Sequence, residues 1–585
     1  MLLIDRLSDV VGAAFEAEGF DPKLGRVVRS DRPDLAPFQC NGALAGAKAA
    51  KTNPRAIGEA VAARLREEPL FEKVELAGPG FLNLSLTEAA LVDAVEAVAA
   101  DEHLGAWRRA DPEKVIMDYG GPNIAKPLHV GHLRSAIIGE AMKRLFRVVG
   151  DEVLGDIHLG DWGLQMGQLI TQIEREQPNL PYFDDALTGP YPEESPVSVE
   201  DLARAYPLAS AACKEDEARL AEAQAATAAL QAGRPGYRAL WQHFVDVSKV
   251  ALEKDYAELG VSFDLWKGEA DADPFIAPLV ERLQQNGVIE EDDGALIIRV
   301  ARDDDKKEIP PLLMVKSNGS VGYGSTDVAT IEERVRDLRA ERIVYVVDQR
   351  QAQHFEQVFR AAARAGLMTE DRLEHAGFGT MNGKDGKPFK TREGGVLRLR
   401  DLIDMVVGEA STRITQGGMA ADLPPKEQEQ IAQRVGIAAL KFADLSNPRT
   451  TDYIFDLEKF VSFEGKTGPY LLYAAVRIRS VLSRAAETGE GASLILGEPS
   501  ERGLALALSA YGEAVRAAYQ KRLPHILCDH AFHLAQSFSR FYTDCRIGDE
   551  ADTAKRSSRL RLASITYQQL ISVLTILGIS VPERM

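Results

Sequence analysis

The sequence predicts a multidomain α/β protein, in which a parallel-sheet domain with a helical insertion lies between an N-terminal α+β domain and a C-terminal all-α bundle. Three observations support this prediction. Residues 115–150 follow the order strand, loop, helix; residues 198–257 are rich in alanine, glutamate, lysine and arginine; and the pattern is helical from about Asp401 to the end. A chain of 585 residues is long enough for several such domains.

The first 111 residues read as a separate α+β domain. Helical patterns cover Leu2 to Ala17 and Pro54 to Leu65. Apolar stretches on both sides of Gly78-Pro79-Gly80, within Val74 to Leu86, predict a hairpin.

The most informative stretch begins with a short apolar strand, Val115 to Met117, which ends at Asp118. A Gly-Gly-Pro-Asn turn, Lys126 and the set His129-Val130-Gly131-His132 follow, and then a long helical pattern begins. Free N–H groups and a positive dipole at a helix start favour phosphate, and Gly131 would let a ligand approach the backbone. Two core histidines, or a metal-binding pair, are the alternatives.

The second half of the sheet domain follows an interruption. Ser198 to Ala257, broken at Gly233-Arg234-Pro235-Gly236, reads as an inserted helical hairpin, with a coiled-coil partner surface as the alternative. Ile343 to Val347 then predicts a strand, and His354 to Ala365 its helix. Residues 382–392 are a loop by their glycine and proline content, and their lysines could be a solvated surface.

Composition limits the function classes. The net charge of −19 is a mild argument against a nucleic-acid partner, although phosphate binding needs only local basic patches such as Lys384 to Arg400. The four cysteines form no Cys-x-x-Cys, so neither a structural zinc nor a disulfide framework is expected. No signal peptide or membrane-spanning run is present, and we expect a cytoplasmic protein without a membrane partner.

Several motifs of this chain resemble those of one known enzyme family. His129-Val130-Gly131-His132 resembles the HIGH signature of class I aminoacyl-tRNA synthetases, and Pro122-Asn123-Ile124-Ala125-Lys126 is similar to the arginyl-tRNA synthetase version. Lys387-Pro388-Phe389-Lys390-Thr391 stands where that family has its KMSKS loop and departs from it at the second, third and fifth positions. Further strings similar to the family lie near both ends of the chain: Phe38 to Ala43, Ala77 to Asn83, Phe463 to Tyr470 and Val581 to Met585.

The resemblance implies a Rossmann-like catalytic domain, residues 112–400 with an insertion at about 185–325. It also implies an N-terminal domain, residues 1–111, that touches the tRNA, although a purely stabilising domain is the alternative. The helical part, 401–585, would contain an anticodon-binding bundle from about 455. The implied activity is arginine–tRNA ligation: ATP with Mg²⁺ activates L-arginine to the adenylate, which is transferred to tRNA(Arg). We expect a monomer.

The resemblance also implies site residues. The catalytic set is His129, His132, Lys126 and Lys390, with the share of Lys126 and Lys390 open. The ATP-binding set is His129, Gly131, His132, Met381, Lys387 and Lys390, and no protein-held metal is expected. The arginine contacts are Asp118, Asn123, Tyr323, Asp327 and Gln351, and the tRNA contacts are Tyr470, Phe541 and Tyr542.

The position of Asp118 in the sequence also points to a cationic partner. It ends a buried strand, where a carboxylate needs a cation, and the sequence offers no nearby cation except Lys126. The substrate guanidinium would supply that charge; a turn cap or a distant arginine is the alternative.

Two other function classes compete with the ligase. One is a non-catalytic RNA-binding relative, which would be expected to lack an intact His pair or lysine loop. The other is a shorter adenylyl or nucleotidyl transferase without a helical C-terminal third.

Overall fold

The computed structural model describes residues 1–387, 397–485 and 489–585. They divide into two compact units. The bundle unit comprises residues 1–110, 414–438 and 462–585, and the sheet unit comprises residues 111–413 and 439–461. The domain boundaries expected from the sequence stay predictions.

Residues 1–110 form the α+β fold that the sequence predicts. Helices pack on a four-stranded antiparallel sheet of order β1-β2-β4-β3, around a core that includes Phe15, Phe38 and Leu84. The hairpin joins β3 and β4. The elements are α1 (Leu3–Ala17), β1 (Val27–Arg29), β2 (Phe38–Cys40), α2 (Gly42–Ala50), α3 (Pro54–Leu65), β3 (Phe71–Ala77), β4 (Phe81–Leu86) and α4 (Glu88–Ala100).

The first βα units of the sheet unit follow, with an insertion. Their elements are β5 (Lys114–Tyr119), α5 (Val130–Val149), β6 (Glu152–Leu159), α6 (Leu164–Glu176), α7 (Val199–Glu215), α8 (Glu217–Gln231) and α9 (Pro235–Glu258). The insertion is three helices rather than the expected hairpin. The first helix stops at Asp216, whose side chain accepts the Ala218 N–H at 2.8 Å and so caps α8.

The rest of the sheet unit returns to the strands. Residues 383–396, which contain Lys384, Lys387 and Lys390, are called the lysine segment here. The elements before it are β7 (Leu265–Gly268), α10 (Glu269–Gln285), β8 (Glu290–Asp292), β9 (Ala295–Ile298), β10 (Leu312–Val315), α11 (Tyr323–Arg336), β11 (Arg342–Val346), α12 (Ala352–Arg364), β12 (Leu373–His375) and β13 (Met381–Asn382). Strands β12-β11-β5-β6-β7 form one parallel sheet. All carboxyl ends therefore meet at one edge, where open α/β sheets bind ligands.

The final third is helical, with one short strand. Its elements are α13 (Leu399–Gln416), α14 (Pro425–Leu445), β14 (Tyr453–Ile454), α15 (Leu457–Phe460), α16 (Gly468–Arg484), α17 (Pro499–Leu508), α18 (Tyr511–Lys521), α19 (His525–Asp544) and α20 (Thr553–Ile576). No helix in the described part of the chain is long and apolar enough to cross a membrane.

Arginine–carboxylate pairs join the N-terminal fold to helices α16–α20 within the bundle unit. Arg29 contacts Glu513 at 2.9 Å, Arg516 contacts Asp5 at 2.8 Å, Arg561 contacts Glu96 at 2.5 Å and Arg502 contacts Glu72 at 2.6 Å. The two ends of the sequence thus build one compact body.

Candidate active site

The His pair lies at the first turn of α5, directly beyond the carboxyl edge of β5. His129 is the N-cap, and its Nδ1 accepts the Gly131 N–H at 3.0 Å. His132 Nδ1 accepts the His129 N–H at 3.1 Å. The ring centroids are 3.9 Å apart. The two side chains therefore satisfy free N–H groups of the helix start and face the same space, as the sequence spacing predicts.

The surroundings of both rings favour the neutral form over the imidazolium. Burial, together with the neighbouring His129, lowers the pKa of His132 to about 3. Burial and the charge of Lys126 also lower the pKa of His129. Because each Nδ1 accepts a backbone N–H, the single ring proton lies on Nε2. The pair thus presents two neutral Nε2–H donors rather than two cations.

The ring of His129 leaves no room for a side chain at position 131. A Cβ at this position would lie 2.7 Å from Cε1 of His129, so glycine lets the capping ring close over the helix start. Asn123, another expected contact, bridges to Gly160 in the loop after β6, and the Ile124 N–H donates to the Gly160 carbonyl at 3.1 Å. These contacts hold the two loops side by side at the edge of the sheet.

Lys126 lies beside the His pair but is directed at the insertion. Its ammonium lies 4.4 Å from the ring centroid of Tyr206 on α7, a cation–π contact. It lines a cavity of about 770 Å³ together with residues of α7 and α9 and Arg398. Its charge still lowers the pKa of both histidines, so the ammonium is near the phosphate site.

The lysine segment is held at both ends by backbone pairing. Before it, buried Met381 pairs in parallel with Tyr453 of β14. Gly383 donates to the carbonyl of the exposed Lys387 at 2.8 Å. After it, the Val130 N–H donates to the Leu397 carbonyl at 3.1 Å, and Leu399 donates to Leu128 at 2.9 Å. Lys390 lies outside the described residues.

Asp118 has its cation within the protein. Nη2 of the buried Arg334, on α11, lies 2.5 Å from Oδ2 of Asp118 and 2.6 Å from Oδ2 of Asp156 on β6. The expectation that the cation beside Asp118 is the substrate guanidinium is therefore wrong for Oδ2, where the alternative of a distant arginine is found. Asp118, Asp156 and His158 offer ligand atoms within 4.8 Å of one another, but Arg334 already meets both carboxylates.

Further carboxylates make this edge of the sheet acidic. Burial raises the pKa of Asp161 to about 7 and raises that of Glu269, at the start of α10. The charge of Asp327 raises the pKa of Glu269 as well. The carboxylates outnumber the one buried guanidinium, so the pocket favours a cationic ligand.

The other expected arginine contacts lie on or near α11 and after β11. Asp327 Oδ2 lies 2.6 Å from Nε2 of His354, and this hydrogen bond raises the pKa of His354. Tyr323 begins α11 and is 76% exposed, and Gln351 is exposed after β11. Asp327, Tyr323 and Gln351 thus have side chains that a ligand can reach at least in part.

The three expected tRNA contacts differ in exposure. Phe541 is fully buried in the bundle, so neither face of its ring is free for a base, and it is a core residue. Tyr542 is partly exposed beside a cavity of about 400 Å³ that Arg484 and Arg556 also line. Tyr470 is half-buried against Phe532, with ring centroids 5.5 Å apart. Phe538, on the same helix as Phe541, is buried in the core as well.

Family models match most of the chain in three consecutive parts. Residues 94–457 match the model described as tRNA synthetases class I (R), catalytic domain. Residues 471–585 match the DALR anticodon binding domain, and residues 2–86 match the arginyl tRNA synthetase N terminal domain.

The chain belongs to the arginyl-tRNA synthetase family.

Curated relatives support the same conclusion over the full length. The chain is 56% identical to an arginine–tRNA ligase of Hyphomonas neptunium and 52% identical to one of Maricaulis maris, in both cases over 100% of either chain. The predictions of the family, the fold class and the ligase activity are thereby confirmed.

Solved structures of the family share the fold at low identity. The arginyl-tRNA synthetase of Plasmodium falciparum matches with a TM-score of 0.84 at 24% identity, over 100% of this chain and 99% of that one. The Thermus thermophilus enzyme matches with a TM-score of 0.81 at 23% identity, over 100% of both chains.

Several pocket residues escaped the sequence reasoning. Arg334 lies in the charged run of α11, where it looks like one of several surface residues, although it is 1% exposed. Asp161 lies within the His158 to Gly163 stretch and Asp156 lies two residues before it; the glycines and the tryptophan of this stretch are the available sequence signal. No sequence pattern points to Glu269, because the effect of Asp327 on its carboxyl group arises only in the folded protein.

Proposed function

We propose that this member of the family performs both steps of arginine–tRNA ligation with the residues at the carboxyl edge of its sheet. The arginine carboxylate attacks the α-phosphate of ATP and pyrophosphate leaves. The terminal ribose hydroxyl of tRNA(Arg) then attacks the carbonyl carbon of the adenylate, and AMP leaves. One observation carries the proposal. Two neutral imidazole N–H groups, which can donate hydrogen bonds to phosphate, and an acidic pocket lie at the same edge of the sheet.

The His pair would act on the phosphates of ATP. Its two Nε2–H groups and the dipole of α5 supply donors that need no proton transfer while negative charge develops. Gly131, Met381, Lys387 and Lys390 complete the proposed nucleotide contacts. Mg²⁺ would arrive on the phosphates themselves, because ATP supplies the oxygen ligands that this ion prefers.

The acidic pocket would select the guanidinium of arginine. Asp327 and Glu269 are partly accessible carboxylates, and Asn123, Tyr323 and Gln351 lie near enough to the edge to fix the rest of the amino acid. Asp118 takes part through its remaining oxygen, because Oδ2 is held by Arg334. A guanidinium is always charged and planar, so paired carboxylates discriminate it from neutral analogues such as citrulline.

The tRNA would contact the bundle unit at the cavity beside Tyr542. An arginine, Arg477, already lies 4.7 Å from the Tyr542 ring centroid, and Arg484 and Arg556 add positive charge. An aromatic ring with cations nearby suits an unstacked base and its phosphates. Tyr470, at the start of α16, is the second proposed contact. The N-terminal fold is proposed to touch the tRNA as well.

Exchange of labelled pyrophosphate into ATP tests the activity. We expect exchange with arginine alone among the standard amino acids, and only when tRNA is bound. Comparable exchange with lysine would contradict the pocket assignment, and strong exchange without RNA would contradict the requirement for tRNA.

Single substitutions show which side chains act on the phosphates of ATP. His132→Ala removes a donor that acts in the transition state, so kcat should fall by about 10²–10³ while the arginine KM changes little. Lys126→Ala and Lys390→Ala assign the share of each lysine. If only Lys126→Ala abolishes exchange, the ammonium now over Tyr206 carries the catalytic role.

We also propose that the protein is a monomer located in the cytoplasm. Gel filtration with light scattering tests the oligomeric state, and cell fractionation tests the location.

A further inference from the structure

The buried Arg134, on the same helix as the His pair, joins three segments of the sheet unit. Its side chain is 2% exposed. Nε lies 3.1 Å from Oδ2 of Asp444 at the end of α14, and Nη1 donates to the carbonyls of Gly379 at 2.7 Å and Thr451 at 3.1 Å. Asp444 is fully buried and also accepts the Tyr453 hydroxyl at 3.0 Å.

Gly379 starts the stretch that leads into the lysine segment. Residues 379–382, called the stem here, pair with residues 449–455: Thr380 donates to Asp452 at 2.6 Å, and Tyr453 and Phe455 donate to the carbonyls of Thr380 and Asn382 at 3.1 and 2.8 Å. A Cβ on Gly379 would lie 2.6 Å from Asp452 Oδ1, so the stem is tightly packed. Arg134 thus ties the stem to α5.

The far end of the lysine segment meets the same helix through its backbone, where Val130 donates to Leu397. Both ends of the segment are therefore fixed to α5, one by Arg134 and one by the first helical residue. The planar guanidinium suits this duty because it can serve a carboxylate and two carbonyls at once, which an ammonium cannot do in the same geometry.

We propose that Arg134 and Asp444 are positioning residues, which set the stem of the lysine segment in register with the His pair. This inference rests on the proposed function, in which both the histidines and the lysines act on ATP. A buried ion pair adds little stability over apolar side chains of the same size, so its specific contribution is geometric. Its loss should lower kcat and leave the arginine KM unchanged, because the acidic pocket does not contact it.

The test compares the double variant Arg134→Met/Asp444→Leu with two controls. The double variant removes both charges together, so no unpaired buried charge remains to unfold the protein. Arg360→Met is the first control: Arg360 is also buried, and it bonds Asp305 at 2.7 Å and the Val300 carbonyl at 3.0 Å away from the stem. Arg134→Lys, the conservative variant, is the second.

Two readouts decide the outcome. Pyrophosphate exchange gives kcat and KM, and amide hydrogen exchange at Tyr453 and Phe455 reports directly on the stem. We expect the double variant to lose about 10²-fold in kcat, as for a small misplacement of catalytic groups, with arginine KM within about twofold and faster exchange at both amides. Arg134→Lys should recover part of the rate, and Arg360→Met should change neither readout.

Other results overturn the inference. A normal kcat with faster amide exchange shows that the stem need not be held for catalysis. A lowered kcat with normal amide exchange, or an equal loss in Arg360→Met, shows that the effect arises elsewhere. Failure of the proposed function is separate: the unsubstituted protein would then show no arginine-dependent exchange, while the two amides would still report whether Arg134 holds the stem.

Discussion

Arg334→Met tests the electrostatics beneath the acidic pocket. One nitrogen, Nη2, contacts both Asp118 and Asp156, at 2.5 and 2.6 Å, so the two carboxylate oxygens are at most about 5 Å apart. Without the guanidinium, two such charges repel by about 3 kcal/mol at an effective dielectric constant of about 20. Removal of one partner from a buried ion pair typically costs about 3–5 kcal/mol. We expect the free energy of unfolding at pH 8 to fall by an amount in that range.

The loss should depend on pH with a defined sign. Burial already raises the pKa of Asp156, and Arg334 opposes this rise, so its removal raises the pKa further. A carboxyl group whose pKa is higher in the folded than in the unfolded protein destabilises the fold when ionised. That penalty is complete above the folded pKa and disappears as the pH falls below the unfolded one. The deficit of Arg334→Met should therefore shrink between pH 8 and pH 5.

Urea unfolding followed by tryptophan fluorescence measures this deficit, because three of the four tryptophans lie in the sheet unit. Arg342→Met is the matched control: its partner Glu113 keeps a second cation, Arg372 at 2.5 Å, so its deficit should be small and nearly independent of pH. A deficit of Arg334→Met that is equal at pH 5 and pH 8, or larger at pH 5, would refute the reasoning. The arginine KM should rise with little change in the ATP KM.

Four further results are expected. Glu269→Gln should raise the arginine KM about tenfold or more, as for a lost hydrogen bond to a charged group, with the ATP KM unchanged as the control. Asp327→Asn should lower the pKa of His354, because their hydrogen bond raises it; an unchanged midpoint in an NMR titration would contradict the contact. Tyr542→Ala should weaken tRNA binding by about 1–3 kcal/mol in a filter-binding assay, whereas Tyr473→Ala, an exposed tyrosine of the same bundle, should not. Deletion of residues 1–110 should weaken tRNA binding more than ATP binding and lower the melting temperature of the remaining bundle, since it removes the partners of three arginines and one glutamate; equal loss of ATP affinity in a folded protein would show that the nucleotide site depends on this segment.

The sequence was sufficient for the sheet and the His pair because both are local patterns. The apolar run before Asp118 became the central strand β5, and the helical spacing after His132 became α5. The capping of the helix start by His129 and His132 was not predicted, because histidine is not among the residues that usually cap helices. The division of the inserted helices at Asp216 was missed, because a single capping residue is a weak signal in an alanine-rich run.

The acidic pocket could be predicted only in part, because it depends on contacts across long sequence separations. Asp118 and Arg334 are 216 residues apart, and nothing local to either shows that they meet. Lys126 is next to the His pair in sequence, yet its ammonium lies over Tyr206, 80 positions further along. For the same reason Phe541 looked available as an aromatic residue, whereas packing of the bundle buries it.

The shared body built by the two ends of the chain has a consequence for synthesis on the ribosome. The N-terminal fold is complete once residue 110 has emerged, but the helices that bind Arg29, Asp5, Glu72 and Glu96 follow more than 350 residues later. At about 5–20 residues per second, this interval lasts roughly 20–70 s. Throughout it, the nascent N-terminal fold exposes carboxylates and a guanidinium that the finished protein pairs, while the sheet unit folds behind it. The surface that completes this enzyme is therefore the last to form.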